Sequence, residues 1–115
     1  MPLTGKTTVK EYEFDQSIIG DIVTTRTYTT DLQAGFTPAK YNAVAIDSDD
    51  SKLVLYDAAD ATHSPIGIVY AYSTGNMLVV TEANDVDINK LDIANLAANK
   101  LAAATLLKKI NITVL

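Results

Sequence analysis

From Tyr41 onward, short apolar runs alternate with polar and acidic turns: "YNAVAI", "DSDDSK", "KLVLYD", "AADATHSP", "IGIVYAYS", "TGN" and "MLVVTEA". Apolar, β-branched runs of this length between turn residues read as strands. None of them is long enough for a buried helix, so the chain is held to a small β module. "YNAVAI" and "KLVLYD" flank "DSDDSK" as a hairpin with a longer loop. "IGIVYAYS" places Ile66, Ile68, Tyr70 and Tyr72 on one face and Gly67, Val69 and Ala71 on the other. "MLVVTEA" follows the turn "TGN" as the next strand. "EANDVDINKLD" then reads as a loop leading to a helix.

The pattern changes from about Asn95. "NLAANKLAAATLLKK" is dominated by Ala and Leu and has high helix propensity. Leu96, Lys100, Ala103 and Leu107 recur at spacings of three and four, with Ala97, Leu101, Ala104 and Lys108 beside them. Asp92 or Asn95 is the expected cap, and Lys108–Lys109 sit at the favourable end of the helix dipole. "INITVL" closes the chain as a strand alternating Ile110, Ile112 and Val114.

Residues 1–35 are of a different kind. Threonine is dense, "VKEYEF" has a weak period of two, and "DIVTTRTYTTD" reads as an extended strand. Large aliphatic residues are few, so the stretch cannot build a core alone. Two readings stay open. It pairs with the body of the domain, or it is an arm that completes its ladder on another chain by strand addition. "QAGFTP" marks the boundary, because Gly35 allows a turn and Pro38 holds Thr37 extended.

A length of 115 residues suits one domain. With 48% hydrophobic and 20% charged residues the composition is globular rather than disordered. No apolar stretch is long enough for a transmembrane helix. "MPLTGKTTVKEYEF" has no apolar core of the kind a secretory signal carries. The absence of cysteine excludes disulfides, thiolate metal sites and cysteine nucleophiles. A net charge of −5 with scattered basic residues argues against a partner held through phosphates.

The candidates for chemistry are thin. "DSDDSK" (Asp47, Asp49, Asp50) lacks the central Gly and the twelfth-position Glu of a calcium loop, and reads as a solvated turn. His63, the single histidine, neighbours Ser64, but adjacency does not make a catalytic pair without an orienting acid and an oxyanion hole. Glu82, Asp85, Asp87 and Asp92 could in principle act as paired carboxylates, yet no Trp-lined cleft accompanies them. The tyrosines at 12, 28, 41, 56, 70 and 72 could form a base-stacking platform, but strand packing is the better account of them. A small hydrolase or carbohydrate-binding domain would need a pocket at His63 or at the Asp85/Asp87 loop.

The order and spacing of "TPAKYNAVAIDSDDSKLVLYDAADATHSPIGIVYAYS" resemble the head decoration proteins of lambda-like phages. The matches are Thr37–Pro38, Lys52–Leu53–Val54, Asp57 and "SPIGIVYAYS", followed in order by "NMLVVTEANDVDINKL", "AANKLAAATLLKK" and "INITVL". The resemblance covers about residues 36 to 115. It implies a mainly β fold with one C-terminal helix (α+β), a β-clip-like small domain with an extended N-terminal arm. Residues 1–35 would be the capsid-engaging arm and residues 36–115 the decoration body. It implies a structural cementing protein with no catalysis and no cofactor. That protein would be a homotrimer bound to the major capsid protein at threefold sites on the outer surface of the virion, present in the host cytoplasm during assembly. It would stabilise the expanded head against DNA pressure, with no direct nucleic-acid or membrane partner. By position and character, Val9, Tyr12, Phe14, Ile18, Ile19, Ile22 and Val23 are the residues expected to touch the capsid. A trimeric tail or fibre accessory protein is the alternative.

Overall fold

The computed structural model describes residues 15–29, 31–73 and 75–115. Among these residues six strands and one α-helix follow one another: β1 (Ile19–Thr29), β2 (Ala43–Asp47), β3 (Lys52–Leu55), β4 (His63–Ser73), β5 (Asn76–Val86), α1 (Lys100–Lys109) and β6 (Ile112–Val114). A single 3-10 turn, Ile88–Lys90, lies between β5 and α1. The fold is mainly antiparallel β with one helix near the C-terminus, as the sequence pattern implies.

The strand order is β1-β5-β4-β2-β3, with β6 added parallel to β5. β4 and β6 share one edge of β5: β4 pairs with residues up to Val80, and β6 from Ala83. β1 covers the whole opposite edge, from Ile19 against Val86 to Thr29 against Asn76. The segment "DIVTTRTYTTD" therefore belongs in large part to the body's own sheet. Nine of the eleven residues of β1 find their ladder partners in β5, so the stretch expected to act as arm up to residue 35 contributes a strand to the sheet.

The sheet cannot be flat. Leu32 bridges to Leu53 of β3, only three residues after Thr29 leaves β5. Three residues reach about 10 Å, whereas β1 and β3 in a flat sheet of this order would lie about 19 Å apart. The sheet must curl until its two edges approach. Tyr28, Leu32 and Phe36 then lie over the enclosed face, packed on Val44, Leu53, Val69, Met77 and Val79. The other face packs against α1 through Ala103 and Leu107, with Ile19, Ala43, Ala45, Tyr56, Ile68 and Val80 in the same core.

Burial of both faces explains why β2 reads as a continuous apolar run rather than an alternation. One facing expectation fails. Ile66 packs with Val69 and not with Ile68. A β-bulge is the reason: Val44 faces Gly67 and the next residue, Ala45, faces Pro65, so Ile66 is the extra residue and turns to the other side. "EANDV" also continues β5 instead of opening a loop, because β1 and β6 flank it on both edges.

The helix begins five residues later than its composition suggests. Asn95 has φ 57° and donates its Nδ2 to Asp57 Oδ1 over 2.9 Å, so it serves a turn and not a cap. Asn99 holds the cap position without a side-chain cap bond, and Asp92 accepts from Asn42 Nδ2 instead.

Candidate interaction surface

The outer edge of β1 is the most available binding feature. Among the described residues, no strand pairs with that side. An unpaired edge presents a row of backbone donors and acceptors to any chain that can lie along it. Val23 projects from this strand and is 56% exposed. Thr25, Thr27 and Thr29 continue the same β-prone, polar strand toward its end.

The start of the strand is anchored. The Ile18 and Ile19 amides donate to the Asp15 carbonyl over 2.9 and 3.1 Å, closing a turn. The Asp15 carboxylate accepts from the Ser17 hydroxyl and amide over 2.6 and 2.8 Å. These bonds, the hydroxyl first, hold its pKa below the usual 3.8. The Asp15 amide in turn donates to the Tyr41 hydroxyl over 2.8 Å, across 26 residues of sequence. Tyr41 itself sits at φ 72°, an uncommon conformation for a large side chain. The Asp15–Ile18 turn that precedes β1 is thus fastened to the body.

The expected capsid-contact residues divide on this basis. Val9, Tyr12 and Phe14 lie outside the described residues. Ile19 is 1% exposed and is part of the core beside Val86 and Ile112, so it is not available as a contact. Ile18 and Ile22 are half-buried against the same core. Only Val23 is both described and open. Pairing with β5 turns Ile19 and Ile22 inward, a consequence of register that residue type does not reveal.

An open concavity of about 400 Å³ lies where β5 exchanges β4 for β6, leaving Thr81 and Glu82 without a strand on that side. Thr24, Arg26, Tyr28 and Ile66 line it too. Glu82 accepts from Thr24 Oγ1 over 2.6 Å and from Asn111 Nδ2 over 3.1 Å. The Arg26 guanidinium stands 5.7 Å from the Tyr28 ring centre, within cation–π range. Composition alone does not reveal this groove, because its residues are far apart in sequence and meet only when β1, β5 and β4 pair.

His63 is built into the fold. Its Nδ1 accepts the Asp57 amide over 3.0 Å, which leaves the ring proton on Nε2. Nε2 faces Asp60 Oδ2 at 3.4 Å and Asp47 Oδ2 at 3.5 Å. Asp47 also accepts from the Asp49 amide and the Thr62 hydroxyl, and these bonds, in that order, depress its pKa. Asp60 is depressed by the Thr62 amide and hydroxyl, and Asp57 by Asn95 Nδ2 and then the Ala59 amide. The cluster ties the β2–β3 turn to the 57–62 loop. Ser64 follows His63 in a strand, so the two side chains leave opposite faces of the sheet.

The remaining acids do separate local work. Asp87 caps the 3-10 turn by accepting from the Asn89 amide over 3.1 Å, and Asp92 holds Asn42 over 3.0 Å. Asp85 sits exposed at φ 56° in a strand irregularity. Among the described residues, no three His, Asp or Glu side chains group to hold a metal. Among them, also, no helix is long and apolar enough to cross a membrane.

No protein-family model matches the chain, and no curated protein matches it.

Proposed function

We propose that this chain is a non-catalytic decoration protein of the phage-head type, acting as a trimer and grasping the shell through its N-terminal segment. The observation that carries the reading is the anchored base at Asp15. The body closes its own sheet back to Ile19, and Asp15 is fastened to Tyr41. The β-prone segment ahead of it, with Val9, Tyr12 and Phe14, is then the part left for strand addition to a capsid protein, with Val23 at the open edge beside it. The order of elements after Thr37, which resembles that family, supports the same reading.

Energetics favour several arms over one. Each ladder bond contributes about 0.5–1.5 kcal/mol net, against about 1–2 kcal/mol per residue for ordering the chain. One arm binds weakly. Three arms on one particle make the later contacts intramolecular, raising avidity by about 10²- to 10⁴-fold.

The test is co-sedimentation with expanded shells of the capsid protein encoded nearby, comparing the full chain with a variant that begins at Asp15. A variant beginning at Gln33 is unsuitable, because it deletes β1 and strips β5 of its partner along one edge. The full chain is expected to bind in multiples of three per threefold site, and the folded Asp15 variant to lose binding. Equal binding by both refutes the arm, and binding by neither refutes the shell as partner. Selective binding to tails moves the assignment to a tail accessory protein.

A further inference from the structure

The outward face of α1 has no partner among the described residues, and it is unlike the rest of the chain. Leu101 in its first turn is 82% exposed, the most open large apolar side chain described. Ala97, Ala98, Ala102 and Thr105 around it are exposed as well. The Thr105 hydroxyl donates to the Leu101 carbonyl over 2.9 Å, which leaves its methyl outward. The inward residues Ala103 and Leu107 are fully buried, so Leu101 cannot turn to the core without unseating the helix.

Charge sets this surface apart. Residues 93–115 hold Lys100, Lys108 and Lys109 and no acidic residue, while residues 1–92 carry all fourteen acids against six basic residues. The face around Leu101 is thus an apolar spot with a basic rim on an otherwise acidic chain.

A complementary surface exists on the same molecule. Ile46 of β2 is 38% exposed, and the hairpin turn that follows it carries Asp49 and Asp50, both open. Gln33 Nε2 binds Asp50 at 3.0 Å and Asp47 at 3.3 Å, and the Thr62 hydroxyl joins Asp47 to Asp60. Asp31, paired with Lys52 at 3.1 Å, borders the same turn. These bonds gather four carboxylates at one end of the sheet, with Asp49 in the same turn and an exposed isoleucine beside them.

We propose that the Leu101 face of α1 docks on the Ile46–Asp50 end of a second copy of this chain, head to tail. Two different patches that fit each other form a heterologous contact, which makes a ring when the rotation between copies closes, as a trimer requires. The apolar centres exclude water from one another, and Lys100, Lys108 and Lys109 meet the aspartates at the rim. The contact deepens the trimer in the function proposed above. Its test contains no shell, so its failure leaves shell binding by the arm a separate result.

The experiment is sedimentation velocity on the full chain across a concentration series, with far-UV circular dichroism as the control for folding. Wild type is expected to associate. Leu101→Glu is expected to raise the dissociation constant about 30-fold or more, as for removal of a central contact residue. Glu in the first turn of a helix favours its dipole, so folding is retained. Lys108→Glu/Lys109→Glu is expected to weaken association, and adding Asp49→Lys/Asp50→Lys to restore it. Raising NaCl from about 0.05 to about 0.5 M weakens the wild-type contact through its charged rim. A monomeric wild type, association untouched by Leu101→Glu, or failure of the double reversal to restore it each overturns the proposal.

Discussion

Replacing Gly67 with alanine tests the closest approach in the sheet. A Cβ at this position would fall deep inside the contact distance of the Val80 carbonyl oxygen and 2.5 Å from Val79 Cγ1, with the Val80 carbonyl carbon at 3.1 Å. Two of these three atoms are backbone of β5, and Val79 and Val80 are both fully buried. No flexible side chain can yield, so β4 and β5 must separate at the bulge. Overpacking of this kind costs typically 1–3 kcal/mol, and the rigid neighbours place Gly67→Ala near about 3 kcal/mol. For a domain of this size each kcal/mol lowers the melting point by about 4 °C, so a loss of about 12 °C is expected. Gly75→Ala is the comparison. Gly75 lies at φ +79° with nothing within 4 Å of the built Cβ. Its cost is the left-handed backbone alone, about 1 kcal/mol, or about 4 °C. Melting curves followed by circular dichroism at fixed protein concentration measure both. A Gly67→Ala melting point within about 3 °C of wild type, or no lower than that of Gly75→Ala, refutes the close-approach argument.

Tyr56 is 1% exposed, and its hydroxyl has no hydrogen-bond partner among the described residues. Burial, with the neighbouring Asp57 charge adding to it, pushes its pKa up. Removing an unsatisfied buried hydroxyl recovers about 1–3 kcal/mol, so Tyr56→Phe should raise the denaturation midpoint, and a lower midpoint would show that the hydroxyl is satisfied. Leu107 is fully buried beneath α1, and Leu107→Ala should cost about 2–5 kcal/mol by urea unfolding. Asp47, Asp57 and Asp60 all have pKa values held below the ordinary 3.8 in the folded chain. Their stabilisation is present above about pH 4 and is lost as pH falls through the depressed folded values. Melting points measured from neutral pH down to about pH 3 should fall at the acid end, and Asp47→Asn should flatten that fall; an unchanged slope would count against Asp47. His63→Ala should lower stability by releasing the Asp57 amide, while leaving shell binding unchanged; a binding defect in a folded His63→Ala protein would reopen the reading of that loop as a functional site.

Much of this protein follows from short-range pattern alone. β2, β3, β4 and β6 lie where apolar runs meet turn residues, because strand periodicity and turn chemistry are local properties. The helix is legible in its alanines and leucines for the same reason, although its start is not. Asn95 and Asp92 were spent on long-range hydrogen bonds that no local rule contains. Tertiary structure alone decided the rest. Whether "DIVTTRTYTTD" joins the body or another chain depends on a free edge of β5, 58 residues away in the Thr24–Glu82 bond. Ile19 and Val23 are both β-branched and four residues apart, yet one is core and the other is open, because pairing register and a bulge decide which way each side chain points. Surfaces offered for contact among the described residues, such as the β1 edge and the Leu101 side of α1, exist only after the strands have found their partners.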